Sequence, residues 1–91
     1  MSARVTQLPE GLNHRALSML RAVVAGRATI SCSSEPDLFI DAVPCCDQYT
    51  AHLLAHEGLI EPTARGAIGE LVPARLTAAG EAALAPVRVA A

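Results

Sequence analysis

Between Cys46 and Leu84 the chain is punctuated so tightly that few folds stay open to it. An unbroken run from Cys46 to Glu57 meets Gly58, and Leu59 and Ile60 then resume as an extended apolar pair that Pro62 ends. Thr63 to Gly69, with two glycines and Arg65, reads as a polar turn; Glu70 to Leu76 returns as a strand, and Thr77 opens a last helical run toward Leu84. Helix, tight break, strand, turn, strand, helix is the layout of a helix packed on a two-stranded hairpin. Asp47 stands where an N-cap or first-turn acid belongs, which places the helix at about 46–57. Gly58 supplies the left-handed residue that closes it.

Upstream, residues 1–10 are polar and irregular and read as a flexible arm, residues 11–85 as the folded domain, and residues 86–91 as a frayed tail beyond Pro86. Asn13 can cap a helix over 13–25, in which Leu17, Leu20, Val23 and Val24 recur at helical spacing until Gly26 stops it. Residues 28–32, with β-branched Thr29 and Ile30, predict a short strand, and residues 33–37 a turn. Residues 38–43 have two readings: a strand in a hairpin with 28–32, or a short helix that would be the first of a helix-turn-helix. Phe39, Ile40 and the following Pro44 favour the strand. Pro73, inside the run 70–76, implies an edge position or a bulge for that strand.

The 91 residues suffice for one domain, and the core they can build is thin. The hydrophobic fraction is 52%, but alanine supplies much of it and Phe39 and Tyr49 are the two aromatics. A partner subunit covering part of so aliphatic a core is expected, with a homodimer formed through the first and last helices and Val87 and Val89. There is no lysine, all the permanently charged basic side chains being arginine; with the alanine content this suggests a G+C-rich genome of bacterial or phage origin. The net charge of −2 offers little attraction to phosphate or anionic lipid. No apolar run approaches the roughly 20 residues that span a bilayer, and no signal-peptide pattern opens the chain. A cytoplasmic location is therefore expected, with no membrane partner, and Cys32, Cys45 and Cys46 as reduced thiols rather than a disulfide framework.

Two segments resemble the winged helix-turn-helix regulators of bacteria. His52-Leu53-Leu54-Ala55-His56-Glu57-Gly58-Leu59-Ile60 is similar to the end of their recognition helix followed by Gly-Leu-Ile. Leu76-Thr77-Ala78-Ala79-Gly80-Glu81-Ala82-Ala83-Leu84 looks like the Leu-Thr-x-x-Gly-x-x-x-Leu that ends the second wing strand and starts the next helix. The resemblance implies a small α+β winged-helix-like domain: helix, strand or strands, a recognition-type helix, a two-stranded wing and a C-terminal helix. It also implies a DNA-binding regulator that is no enzyme and needs no cofactor. The residues carrying the resemblance are a glycine cap, core leucines and a helix cap, all of which the fold needs whether or not it meets DNA. Residues 46–57 depart from the pattern, since they contain no Arg or Lys and do contain Asp47 and Glu57. A winged-helix module that binds a protein is the alternative.

If the helix enters a major groove, the outward candidates are Gln48, Tyr49, Thr50, His52 and His56, with Gln48 suited to an adenine edge and Arg65 reaching phosphate from the wing. Against these stand plainer roles: Tyr49 as core, solvated histidines, and Arg65 as a solubilising charge. His52 and His56 lie about 6 Å apart along one helix face, a spacing that can hold a metal ion. Cys45, however, would sit roughly 10 Å further along the axis, and there is no C-x-x-C pair, so no metal site is assigned. A thiol sensor at Cys45 or Cys46 is disfavoured by the neighbouring Asp47. Asp37 and Asp41 read as charges bounding a half-buried strand, and Arg15, Arg21 and Arg27 as a solvated face.

Overall fold

The structure, a computed structural model, describes residues 13–84. The arm expected at 1–10, the tail at 86–91 and the proposed contacts of Val87 and Val89 lie outside the described residues. Within them the chain runs α1 (His14–Val24), β1 (Ala28–Ser31), β2 (Leu38–Ile40), β3 (Val43–Pro44), α2 (Gln48–His56), β4 (Ile60–Pro62), β5 (Leu71–Leu76) and α3 (Ala78–Leu84). The strands form one antiparallel sheet in the order β3-β2-β1-β5-β4. This is a small α+β domain with three helices and five strands among the described residues.

Local chemistry sets each boundary. The Asn13 side chain accepts from the Ala16 N–H at 2.8 Å and starts α1. The buried stripe of that helix is Ala16, Met19, Leu20 and Val23, with the i, i+3, i+4, i+7 spacing of a core-facing side. Val24, expected in the stripe, is 61% exposed instead, because it lies one residue past the face that Val23 occupies. α2 ends in a Schellman cap: Gly58, at φ 75°, lets its own N–H reach the Ala55 carbonyl and the Leu59 N–H reach that of Leu54.

Of residues 38–43, expected as one strand, Leu38–Ile40 form β2 and pair with β1, Ile30 facing Leu38 and Ala28 facing Ile40. The chain then reverses through Asp41 and Ala42, at φ 55° and 68°, as a two-residue turn into β3. Positive φ at both positions is the type I′ geometry of tight hairpins, and it strains residues that carry a Cβ. Arg27 grips the Asp41 carboxylate with Nε and Nη2, and the Asp41 N–H donates to the Arg27 carbonyl, so the strained turn is tied down from outside. No helix lies between β1 and α2, so the alternative reading of residues 38–43, as the first helix of a helix-turn-helix, is not met; the β2–β3 hairpin stands there.

One face of the sheet is covered. Ala28 and Ile30 of β1, Leu38, Ile60, and Val72 and Ala74 of β5 join the α1 stripe, Ala51, Leu54 and Leu59 in a single aliphatic cluster. On the other face, cross-strand neighbours align Pro44, Phe39, Thr29 and Pro73 in a row over four strands, which leaves Phe39 only half-buried.

Pro73 does not mark an edge: β5 lies between β1 and β4. Opposite Thr29 it occupies a rung without hydrogen bonds, since the neighbouring bond runs from Cys32 N–H to Glu70 and the pattern alternates. Toward β4 its carbonyl accepts from Thr63 N–H at 3.0 Å where the hairpin opens, so the missing N–H costs no ladder bond within the paired segment. The true edges carry prolines of their own. Pro44 on β3 and Pro62 on β4 both sit where the backbone nitrogen points away from the sheet.

The turn from β5 into α3 locks onto the cap of α2. Thr77 donates its N–H to the Leu59 carbonyl and its hydroxyl to the Gly58 carbonyl, and its Oγ1 accepts from the Gly80 N–H. Gly80 is buried against this junction, and a Cβ there would collide with the Leu59 carbonyl oxygen. Alanine favours a helix by about 1 kcal/mol over glycine, while forcing atoms into a packed site costs about 1–3 kcal/mol. Because the obstruction is backbone, we expect Gly80→Ala to destabilise the domain despite its better helix propensity. A thermal melt should show a fall of several degrees; an unchanged or higher Tm would mean that the junction yields freely.

Candidate functional site

α2 and the loop 63–70 of the β4–β5 hairpin contain every residue put forward from the sequence for DNA contact. They divide into side chains the fold consumes and side chains it presents. Gln48 belongs to the first group. It is half-buried, its Oε1 accepts from the Leu38 N–H at 3.0 Å, and its Nε2 donates to the carbonyls of Leu38 at 3.0 Å and Cys45 at 2.7 Å. The amide expected to face outward toward a base edge thus clamps α2 to β2, its donors and acceptor engaged within the chain.

Thr50 is likewise consumed. Its N–H donates to Asp47 Oδ1 at 3.0 Å and its hydroxyl to Asp47 Oδ2 at 2.6 Å, while Arg15 Nη1 approaches the same Oδ2 at 3.1 Å. The Thr50 hydroxyl bond, the Thr50 N–H and then Arg15 hold the Asp47 carboxyl below the usual carboxylate range, against a desolvation that pushes it up. Asp47 is therefore the N-cap of α2, which begins at Gln48 rather than 46. Cys45 and Cys46 precede the helix.

His52 is drawn to the loop between β1 and β2. Its Nε2 lies 3.0 Å from Asp37 Oδ1 and its Nδ1 3.5 Å from Glu35 Oε1. Both ring nitrogens thus face carboxylates, and the residue bridges α2 to residues 35–37. His56, one turn on, is exposed and lines a groove of about 430 Å³ between α2, residues 33–36 and β4. Among the described residues no group of three or more His, Cys, Asp or Glu side chains is arranged to hold a metal ion, and the three cysteines are free thiols.

Tyr49, Arg65 and His56 are the expected residues that remain presented. Tyr49 is 74% exposed, which removes its core role. Arg65 is exposed in the hairpin loop, beside a residue that sequence reasoning passed over: Ile68, 91% exposed at the same tip. Arginine at other positions is largely committed. Arg15 pairs with Asp47, Arg27 with Asp41 and Arg75 with Glu61, leaving Arg21 and Arg65 without a carboxylate partner among the described residues. The Arg27 hydrogen bond pulls Asp41 below its ordinary value, and Asp41 in turn raises Arg27.

The Gln48 clamp and the His52 bridge were out of reach of the sequence, because their partners lie 10 and 15 positions away and no periodic pattern announces them. An isolated exposed isoleucine among glycines was visible in the sequence, as Ala67-Ile68-Gly69, but reads there as turn filler.

Cutting the clamp with Gln48→Ala removes three bonds, leaving the Leu38 N–H and the Cys45 carbonyl without these partners while the Leu38 carbonyl keeps the Cys45 N–H; at about 1 kcal/mol per lost bond we expect about 2–3 kcal/mol of destabilisation by urea unfolding. A loss under half of that would mean water replaces the amide. The lowered Asp47 carboxyl has a pH signature. A depressed folded value stabilises above the unfolded value of about 4 and is lost as pH falls through the folded one. The stability gap between wild type and Asp47→Asn should therefore be level from about pH 6 to 5 and shrink on acidification below about pH 4; a gap that stays constant to the acid limit refutes the assignment. No family model, curated protein or solved structure matches the chain.

Proposed function

We propose that the chain is a winged-helix-like module that binds another protein through the exposed side of α2 and the tip of the β4–β5 hairpin. The observation carrying this reading is Ile68, 91% exposed at the hairpin tip, where a wing reaching into a DNA groove needs a base. Tyr49, 74% exposed on α2, adds a second large apolar anchor of the kind that dominates protein interfaces. Around them the charge is unsuited to phosphate: Glu35 and Asp37 flank His52, Glu57 ends α2 and Glu70 closes the loop, against Arg65 alone. The prolines on both sheet edges disfavour strand addition, so the partner would meet side chains.

A DNA-binding regulator is the second reading. It rests on Arg65 and His56, both exposed, and on an element order that matches a winged helix from β1 through α3 apart from the hairpin that stands where its second helix would be. A homodimer is compatible with either, and Val24 at the end of α1 offers exposed apolar surface for it.

The readings separate in one experiment. A photo-crosslinking amino acid is placed at Tyr49, at Ile68 and, as a control on the opposite sheet face, at Arg75, and the protein is irradiated in its native cells. The protein-binding reading expects a discrete protein adduct from the first two positions and none from the third. In parallel, duplex DNA is titrated at about 50 mM salt, where non-specific attraction is strong. Binding that falls steeply with salt and weakens with Arg65→Ala, without protein adducts, would replace the proposal with the DNA reading.

A further inference from the structure

On the side of the domain bounded by α1, the β2–β3 hairpin and the start of α2 lies a groove of about 470 Å³. Its rim carries Arg15, Arg21 and Arg27, three of the five arginines among the described residues, and its floor is formed by apolar residues including Met19, Ile40 and Cys45. We propose that this groove binds a small organic phosphate, a phosphorylated molecule with an apolar body. It is a different surface from the one assigned to the protein partner.

The carboxylates nearby orient the arginines without exhausting them. A guanidinium has five N–H donors. Arg27 gives Nε and Nη2 to Asp41, and Arg15 gives only Nη1 to Asp47. Arg21 gives none to a carboxylate among the described residues. Three guanidiniums against Asp41 and Asp47 leave one net positive charge, on a chain whose total charge is −2. Planar forks held in place by carboxylates are pre-organised for a tetrahedral oxyanion, which they can engage through two parallel hydrogen bonds each. The groove volume lies within the roughly 300–1,000 Å³ of small-molecule sites, more than a bare ion fills. The apolar floor sets the second requirement, since a phosphate alone would leave it wet.

Isothermal titration calorimetry at low ionic strength tests the assignment, with ADP and phenyl phosphate as probes and adenosine as the uncharged control. We expect binding of at least one phosphate-bearing probe, with adenosine at least tenfold weaker than ADP if ADP is the binder. A charged hydrogen bond contributes about 1.5–3 kcal/mol, so Arg21→Gln should weaken the bound phosphate about tenfold or more. Arg65→Gln, far from the groove, should leave it unchanged. Arg21 is exposed, and a melting curve identical to wild type confirms that the variant folds. No heat with either probe at millimolar concentration overturns the proposal, as does equal affinity in wild type and Arg21→Gln. Pyrophosphate binding as tightly as the organic probes would refute the role of the apolar floor. A short DNA duplex that binds with the same Arg21 dependence while both probes fail would assign the arginines to a nucleic-acid backbone instead.

Discussion

The rest of the domain hangs on the junction where Gly58 and Leu59 meet Thr77 and Gly80. Four elements end or begin there: α2 stops, β4 starts, β5 stops and α3 starts. A helix C-terminus leaves orphan carbonyls and an N-terminus orphan N–H groups; here the Gly58 and Leu59 N–H groups take up α2 carbonyls, and their own carbonyls hold the residue that caps α3. The Gly58 and Leu59 carbonyls accept from Thr77, whose hydroxyl oxygen caps α3 through the Gly80 N–H. Since β4 pairs with β5 from Ile60 to Pro62, this knot also sets the register of the hairpin. The direction in which residues 63–70 project is therefore fixed by a handful of bonds far from their tip.

That junction was the most legible part of the chain. Gly58 and Thr77 carry its chemistry in their residue types, because a left-handed cap and a hydroxyl N-cap each tolerate few alternatives; the close approach of Gly80 to the Leu59 carbonyl emerged only in the fold. The caps at Asn13 and Asp47 were equally readable, as was the strand beginning at Leu38, where Phe39, Ile40 and Pro44 outweighed the helical alternative; the turn at Asp41 and Ala42 that breaks it into a second hairpin was not. What sequence reading lost were the long-range consequences. Val24 and Leu17 satisfied a helical period, yet the core took Ala16 and Met19, since a thin aliphatic interior accepts alanine and a flexible thioether as readily as valine. Pro73 argued for an edge until the alternation of rungs gave it a place inside the sheet.

The candidate site was legible only as a list of side chains on one helix. Of the polar residues expected to face outward, Gln48 and Thr50 are spent inside the fold, and His52 is shared with Glu35 and Asp37. The reason is general to small domains: short strands of two or three residues make few ladder bonds, so side chains must satisfy the backbone groups left over. The same economy governs charge. Three arginines are tied to carboxylates that come from distant parts of the chain, and such pairs cannot be assigned from net charge or helix spacing.

The prolines at the two sheet margins bear on how this domain behaves among many copies of itself. The edge of an antiparallel sheet is a template that an extended chain can lengthen. Pro44 and Pro62 interrupt it on both sides, each removing an outward N–H from which a newcomer would need to accept. Growth by strand addition at the two margins is thereby disfavoured by two residues, which leaves the faces of the described domain, rather than its edges, as its surfaces for assembly.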